Sequence, residues 1–395
     1  MIKCNQKFKE TEIGAIPEEW DAFDIQSVAD VIGGGTPSTS NENNFNGAIP
    51  WITPRDLSSY QDRFISRGER CISEEGLNSS NAKLLPVNTV LLTTRAPVGY
   101  LAIAKNEVST NQGFHSLIPN SKTDSFFLFY LLKNNVQKLI DHASGSTFQE
   151  LNGKTLKSLE FAFPKIDEQK RIAEILSSLD DKIELNRKIN ANLEKIASSL
   201  FKKLFVDIGD ELPEGWRIGT FGEATENFDS KRVPMSSRER EKKHGAYPYY
   251  GATSIMDYVD DYIFDGTYVL LGEDGSVARE NGSPFVQYVS GKIWVNNHAH
   301  VLQGKNGFST EHVKVFLDQL DIMPFVTGAV QPKLNQANMN SIPMAVPDQK
   351  TLGKFNEVLE VIFGMILDNE KRNRNMEQIR DSLLPRLMSG KIRVR

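Results

Sequence analysis

The stretch GSTFQELNGKTLKSLEFAFP at 145–164 returns as GAVQPKLNQANMNSIPMAVP at 328–347. Gly145, Leu151, Asn152, Ser158 and Pro164 reappear as Gly328, Leu334, Asn335, Ser341 and Pro347, each 183 positions later. The spacing persists downstream. Ile183, Asn186, Asn190, Asn192, Glu194, Ile196, Ser199, Leu200 and Leu204 recur as Ile366, Asn369, Asn373, Asn375, Glu377, Ile379, Ser382, Leu383 and Leu387. So many identities at one spacing mean a duplication, which must be found before any element is assigned. Upstream, IPEEW at 16–20 returns as LPEGW at 212–216, 196 positions on, so the first copy carries 13 extra residues in its middle. The interiors keep only echoes: TVLLTTRAPVG at 89–99 beside YVLLGEDGSVA at 268–278, and STNQGFHSL at 109–117 beside VNNHAHVL at 295–302. A kept frame with a rewritten interior suits two sites that do one job on different targets.

From Asp167 to Phe205 there is no Pro or Gly. Apolar residues recur there at three-and-four spacing: Ile172, Leu176, Leu179 and Ile183, then Leu193, Ala197, Leu200 and Leu204. This is the seam of a helix that pairs with another. Asp167 reads as its N-cap. At ~1.5 Å per residue the helix runs roughly 55–60 Å. The second copy repeats the seam at Phe355, Leu359, Ile362, Ile366, Met376, Leu383 and Leu387. Gly353 and Gly364 weaken that helix, and Pro385 is expected to end or kink it. Asn186 and Asn190 interrupt one seam, Asn369 and Asn373 the other. Antiparallel pairing brings them together near the middle, where a buried asparagine fixes register at a cost in stability. Half-exposed helix turns are the alternative reading.

The 395 residues are 39% hydrophobic, 25% charged and 9% aromatic, enough for one large core or two ordinary ones and unlike a disordered chain. Cys4 and Cys71 make neither a disulfide framework nor a metal-site spacing. The start MIKCNQKFKETEIG lacks an apolar signal core, and no apolar run reaches the ~18–20 residues that span a bilayer. A cytoplasmic location is expected. The formal net charge of -5 speaks against a free-standing nucleic-acid binder. It allows local basic patches, or work inside a larger complex.

The globular parts read as α+β. WITPRDL at 51–57, NTVLLTTRAPVGYLAIA at 88–104, TYVLLGEDG at 267–275 and SPFVQYV at 283–289 are short strand-like runs punctuated by Gly and Pro. Helices are expected at 124–142 and 310–322. The tryptophan-containing starts, TTRAPVG and NQGF, YPYYGATS at 247–254, the Leu-Asn segment before each long helix, and the ends SLFKKLF and SLLPRLMSGKI together resemble specificity subunits of type I restriction–modification systems. The resemblance covers nearly the whole chain. It implies target recognition domains at 1–165 and 209–347. The long helices then lie at 166–208 and, with the C-terminal tail, at 348–395, and pair as an antiparallel coiled coil. It also implies a non-catalytic subunit that recognises an asymmetric bipartite double-stranded DNA target methylated on adenine. Two methyltransferase and two translocase–endonuclease subunits would dock on it. S-adenosylmethionine, ATP and Mg would sit on those partners, with no cofactor or metal on this chain.

In the major groove Arg or Lys reads guanine and Asn or Gln reads adenine. Lys, Arg, Ser, Thr and backbone amides hold phosphates. In the first domain Thr36, Arg55, Arg95, Asn111, Gln112, Thr147 and Gln149 are such residues in Gly-, Pro- or Thr-rich loops or at strand ends. In the second, Lys231, Arg232, Arg238, Tyr250, Arg279, His298 and Lys333 are chosen. KRVPMSSREREKKHG at 231–245 is the densest basic run, a phosphate contact or a solvated loop. For single residues the bland alternatives stand beside these: Arg95 pairing with a carboxylate, Asn111 holding a turn.

Several chemistries are missing from the chain. NGKT at 152–155 imitates a phosphate loop, but Phe148 stands where its first glycine belongs. GEDGS at 272–276 lacks the rest of a calcium loop, and His298 and His300 have no third zinc ligand near in sequence. There is no Asn/Asp-Pro-Pro-Tyr/Phe methyltransferase motif. A rival reading, a duplicated two-lobed cytosolic enzyme with its active site between the lobes, requires a convergent ionisable set, and none is found. A scaffold for protein partners alone leaves the rewritten interiors without a reason.

Overall fold

The computed structural model describes residues 7–145, 149–209, 211–328 and 330–394. The described residues within Met1–Leu185 and Arg372–Arg395 form one compact unit, and those within Asn186–Lys371 the other. Each unit therefore owns one globular domain and a portion of both long helices.

In the first unit a five-stranded sheet runs in the order Ala29–Gly33, His115–Pro119, Val90–Thr94, Val98–Ala104, Phe64–Ile65. Its centre, Val90–Thr94, is buried at every position, so its sequence is apolar or threonine throughout rather than alternating. Helix Ser125–Asn134 covers the sheet with Phe127, Leu128, Tyr130 and Leu131. The Asp124 carboxylate caps it by accepting from the Phe126 and Phe127 amides. The expected helix at 124–142 is in fact two, parted at Asn135. WITPRDL is not one strand. Strand Phe45–Ile52 ends there, and the Asp56 carboxylate accepts from the Thr53 amide and hydroxyl to start the short helix Pro54–Leu57.

The second unit has one six-stranded sheet: Thr225–Asn227, Ala299–Gly304, Phe264–Gly272, Val286–Val295, His244–Tyr250, Ile255–Val259. Helix Thr310–Asp318 packs on it, shorter than the expected 310–322. The strands at 98–104 and 109–110 correspond to the single strand Val286–Val295, which residues 105–108 divide in the first unit. The link from the Ile52 strand end to the next paired strand spans 53–69, but only 251–254 in the second unit. Most of the first copy's extra length lies there.

The duplicated identities have local causes. Asn152 and Asn335 each cap a short helix, accepting from the amides of Thr155 and Asn338. Ser158 and Ser341 each close that helix by donating to the carbonyls of Thr155 and Asn338. Leu151 and Leu334 are fully buried just ahead of the caps. Gly145 and Gly328 adopt φ of 117° and 89°, a region that side chains resist.

The long helices are Ile166–Phe201, followed by one π-turn at Lys202–Val206, and Gln349–Met388. Asp167 lies inside the first turn rather than at the cap, where its charge suits the helix N-terminus. The second helix runs unbroken through Gly353, Gly364 and Pro385. In the first unit Ile172, Leu176 and Ile183 are buried, and Glu168, Asp180 and Ile183 meet Arg393, Arg380 and Asn373. In the second unit Ala197 and Phe201 are buried with Phe355, Leu359, Ile362 and Ile366. Asn190 there meets Ile366 and Asn369. Partner numbers fall as helix numbers rise, so the pairing is antiparallel in both. Leu204, expected in the seam, is 38% exposed.

Candidate nucleic-acid interface

In the first domain several loops converge at one end of the central strand. Thr94 gives its amide to the Gly113 carbonyl and takes the Leu151 amide on its own. Arg95 forms a β-bridge with Glu150, which also bridges Ser144. Gly34 and Gly35 give their amides to Phe114 and Thr110, and a Cβ on Gly34 would sit 1.9 Å from the Asn111 carbonyl oxygen. That close approach lets the exposed Thr36 hydroxyl donate to the Gln112 side chain. Pro54 packs against Gly113, which places the Arg55 helix turn beside this cluster. Thr36, Arg95, Asn111, Gln112 and Gln149 thus belong to one loop cluster with Arg55 at its edge. Thr147 lies outside the described residues.

The second domain repeats this frame with other chemistry. Asp274 bridges Lys333, which bridges Thr327, as Arg95 bridges Glu150 and Glu150 bridges Ser144. The Leu334 amide bonds the Glu273 carbonyl as Leu151 bonds Thr94. Asn111 and Asn296 each accept the amide two residues on, from Gly113 and His298. The turn reading of Asn111 is therefore part of the frame. The charge order of the bridged residues is inverted: the Arg95 backbone pairs with Glu150 in one copy, that of Asp274 with Lys333 in the other. His298 bonds Asp274, and the Lys333 amine lies 3.6 Å from Glu273. Tyr250 accepts the Asn296 amide on its carbonyl, at the same end of the sheet.

Other choices fall elsewhere. Arg232 is largely buried, donating to Glu273 at 2.7 Å and to the Ala299 carbonyl at 2.6 Å. Its guanidinium is committed inside the domain, so Arg232 offers no free cation to a phosphate. Lys231 lies exposed over the Phe228 ring, and Arg238 is exposed on helix Ser237–Lys242. Arg279 stacks on Phe285 and lines a cavity of about 680 Å³ with Tyr288 and helix residues Lys195 and Ser199. Arg55 pairs only loosely with Glu69, at 3.9 Å.

Among the described residues, Asp229, Glu273 and His300 bring ligand atoms within 4.8 Å of one another. Arg232 already supplies a cation to both carboxylates. His300 Nδ1 lies 2.6 Å from the Asp229 carboxylate and its Nε2 2.8 Å from the Leu334 carbonyl, so both ring nitrogens are engaged within the domain. Burial pushes the Asp229 carboxyl up, but hydrogen bonding and charge from His300 outweigh it and the net shift is downward. The set is a buried ion network that joins strand to loop.

Sequence reasoning missed one strong echo. GAIPWI at 47–52 matches GAYPYY at 245–250, and both segments pair in parallel with equivalent residues: Trp51 with Ser109, Tyr249 with Trp294. A Cβ at Gly47 or Gly245 would lie 2.4 Å from the backbone of Ser73 or Asp260, each just past the end of the neighbouring strand. The short Gly-Ala-x-Pro signal was legible once the changing spacing was allowed for.

A type I restriction modification DNA specificity domain matches residues 17–195 and again 213–377. The chain belongs to that family. The MjaIX type I restriction enzyme specificity subunit of Methanocaldococcus jannaschii is 35% identical over all of this chain and 98% of its own length. The EcoprrI specificity subunit of Escherichia coli is 24% identical over 86% of each. The crystal structure of an S subunit from M. genitalium shares the fold, with a TM-score of 0.57 at 18% identity, covering 93% of this chain and 96% of that one. The protein is a non-catalytic DNA sequence-specificity subunit, and the two-lobed enzyme finds no support. Among the described residues no helix of this specificity subunit is long and apolar enough to cross a membrane.

Proposed function

We propose that the specificity subunit reads an asymmetric bipartite DNA target, one half-site through each globular domain. The loop cluster around Thr36, Arg95, Asn111, Gln112 and Gln149 serves the first half-site. Tyr250, His298 and Lys333 serve the second, with Lys231 and Arg238 on phosphates. The observation that carries this reading is the inverted bridge. Arg95–Glu150 and Asp274–Lys333 occupy one frame position with opposite charge order. One scaffold thus presents two different donor–acceptor surfaces, and bases are distinguished by donor–acceptor pattern.

The net charge of -5 fits a subunit that grips DNA together with partners, since phosphate neutralisation supplies most non-specific affinity. Two methyltransferase subunits and two translocase–endonuclease subunits are the proposed partners, in the cytoplasm. S-adenosylmethionine, ATP and Mg belong to them, and no cofactor or metal to this chain. Because the first helix is continuous from Ile166 to Phe201, four inserted residues should alter the gap between half-sites and leave both sequences unchanged.

Mapping methylated adenines in a genome with and without this gene tests the reading. Two unlike half-sites at one fixed gap are expected. Exchanging residues 21–163 with those of another specificity subunit should replace one half-site only. A palindromic or continuous target would overturn the proposal.

A further inference from the structure

The first domain carries a groove of about 550 Å³ that the DNA candidates do not include. Gln26, Gly33, His115, Gly153, Lys154 and Lys157 line it, and none of the described lining residues is acidic. Three neighbouring elements build it. Gly33 ends one strand, His115 begins the strand paired to it, and helix Gly153–Ser158 brings both lysines, exposed, to the opposite wall. Glycine shapes the cleft, because a Cβ on Gly153 would lie 2.7 Å from His115 Nε2.

His115 Nδ1 is 2.9 Å from the Thr94 hydroxyl, while Nε2 lies between Gly33 and Gly153 on the groove wall. Burial lowers the imidazole's pKa, so the ring is neutral at neutral pH. The Thr94 hydroxyl also reaches the Gly113 carbonyl, at 3.4 Å, and an anion in the groove favours the tautomer in which Thr94 donates to Nδ1 and the ring proton sits on Nε2. The Gln26 amide donates to Asp24 at 2.6 Å, and that carboxylate also accepts from Ser27.

The second copy lacks this arrangement. Ala337 and Asn340 stand where Lys154 and Lys157 do, and Gly222 where Gln26 does. His300, the counterpart of His115, has both ring nitrogens engaged by Asp229 and the Leu334 carbonyl. The groove is therefore a property of one half of a duplicated frame. It adjoins the loop cluster, because Thr94 binds His115, Gly113 and Leu151 at once.

We propose that this groove holds a backbone phosphodiester of the first half-site, through Lys154, Lys157 and the His115 Nε2–H. The inference rests on the reading of the first domain as a DNA reader. It makes the contact sequence-independent and confined to one half-site.

The test uses the full chain assembled with its methyltransferase subunits on the mapped target. Each lost phosphate contact reduces the slope of log affinity against log salt by about 0.9, so Lys154→Ala with Lys157→Ala should reduce it by up to about 1.8. The methylated positions should stay the same. Neutral methylphosphonate linkages placed one at a time should weaken wild-type binding at one or two linkages of the first half-site. The alanine variant should ignore them, and Lys154→Arg with Lys157→Arg should still respond. An unchanged slope, no linkage-specific response, or relaxed sequence preference at a base pair would overturn the groove proposal. So would protection of the groove by inorganic phosphate without any methylphosphonate effect. Failure of the wild-type complex to prefer any sequence would instead remove the DNA-reading assignment beneath it.

Discussion

Asn369 donates its side-chain amide to the side-chain oxygen of Asn190 at 2.8 Å, from one long helix to the other. Asn190 in turn reaches the Ile366 carbonyl at 3.3 Å, and in the other unit its repeat counterpart Asn373 reaches the Ile183 carbonyl at 3.4 Å. Both Ile residues are buried in the seam. A one-residue slip would leave these amides against apolar side chains, which is how a polar seam residue sets register. Replacing Asn186, Asn190, Asn369 and Asn373 with Leu should raise the thermal midpoint yet give more than one species by size-exclusion chromatography with light scattering. A single species identical to wild type would show that the asparagines do not set register.

Arg63 is almost fully buried and satisfies three carboxylates of the first long helix. It donates to Glu184 at 3.0 Å, pairs with Asp181, and lies 3.8 Å from Asp180. Asp180 also receives Tyr130 and Arg380, each at 2.6 Å. Removing one partner of such a set strands buried charge and costs about 3–5 kcal/mol. Arg63→Ala should therefore lower stability by that order in urea titration. Arg55→Ala, whose side chain is 86% exposed, should cost less than about 1 kcal/mol. Similar losses for the two would contradict this account.

His312 is caged by Phe201, Phe205, Phe308 and Phe355, with ring centroids 4.9 to 5.7 Å away. Burial pushes its pKa down to about 3 from the usual 6.5. The unfolded chain thus binds a proton that the folded one refuses. Stability from the neutral ring is complete above about pH 6.5 and drains away as pH falls toward 3. His312→Leu should flatten the loss of stability between pH 6.5 and 4.5, followed by thermal melting across that range. Parallel wild-type and variant curves would place the acid sensitivity elsewhere.

Asn111 and Gln112 are neighbours with different tasks. The Asn111 side chain holds a turn, whereas Gln112 is exposed beside Thr36. Asn111→Ala should cost about 1 kcal/mol of stability and weaken all DNA sequences alike. Gln112→Ala should leave melting unchanged and, as a base contact, cost ~1–3 kcal/mol at one position of the first half-site. Competition binding against single-base variants of the target separates the two outcomes.

The sequence alone determined what short-range physics controls. The duplication shows as identities held at one offset of 183 residues, and the seams of both long helices rest on spacings of three and four residues set by the helical repeat. Long-range pairing had to be seen. Arg232 looked like a phosphate contact because nothing nearby in sequence reveals Glu273, just past the end of a distant strand. Leu204 looked like a seam residue because periodicity cannot say where the partner stops covering it. The tail residue Arg393 closes on Glu168 and Glu19 of the first unit, a contact across most of the chain. Register between strands and the pairing of buried charges depend on which segments fold together, so tertiary structure decided the loop cluster, the ion networks and the basic groove.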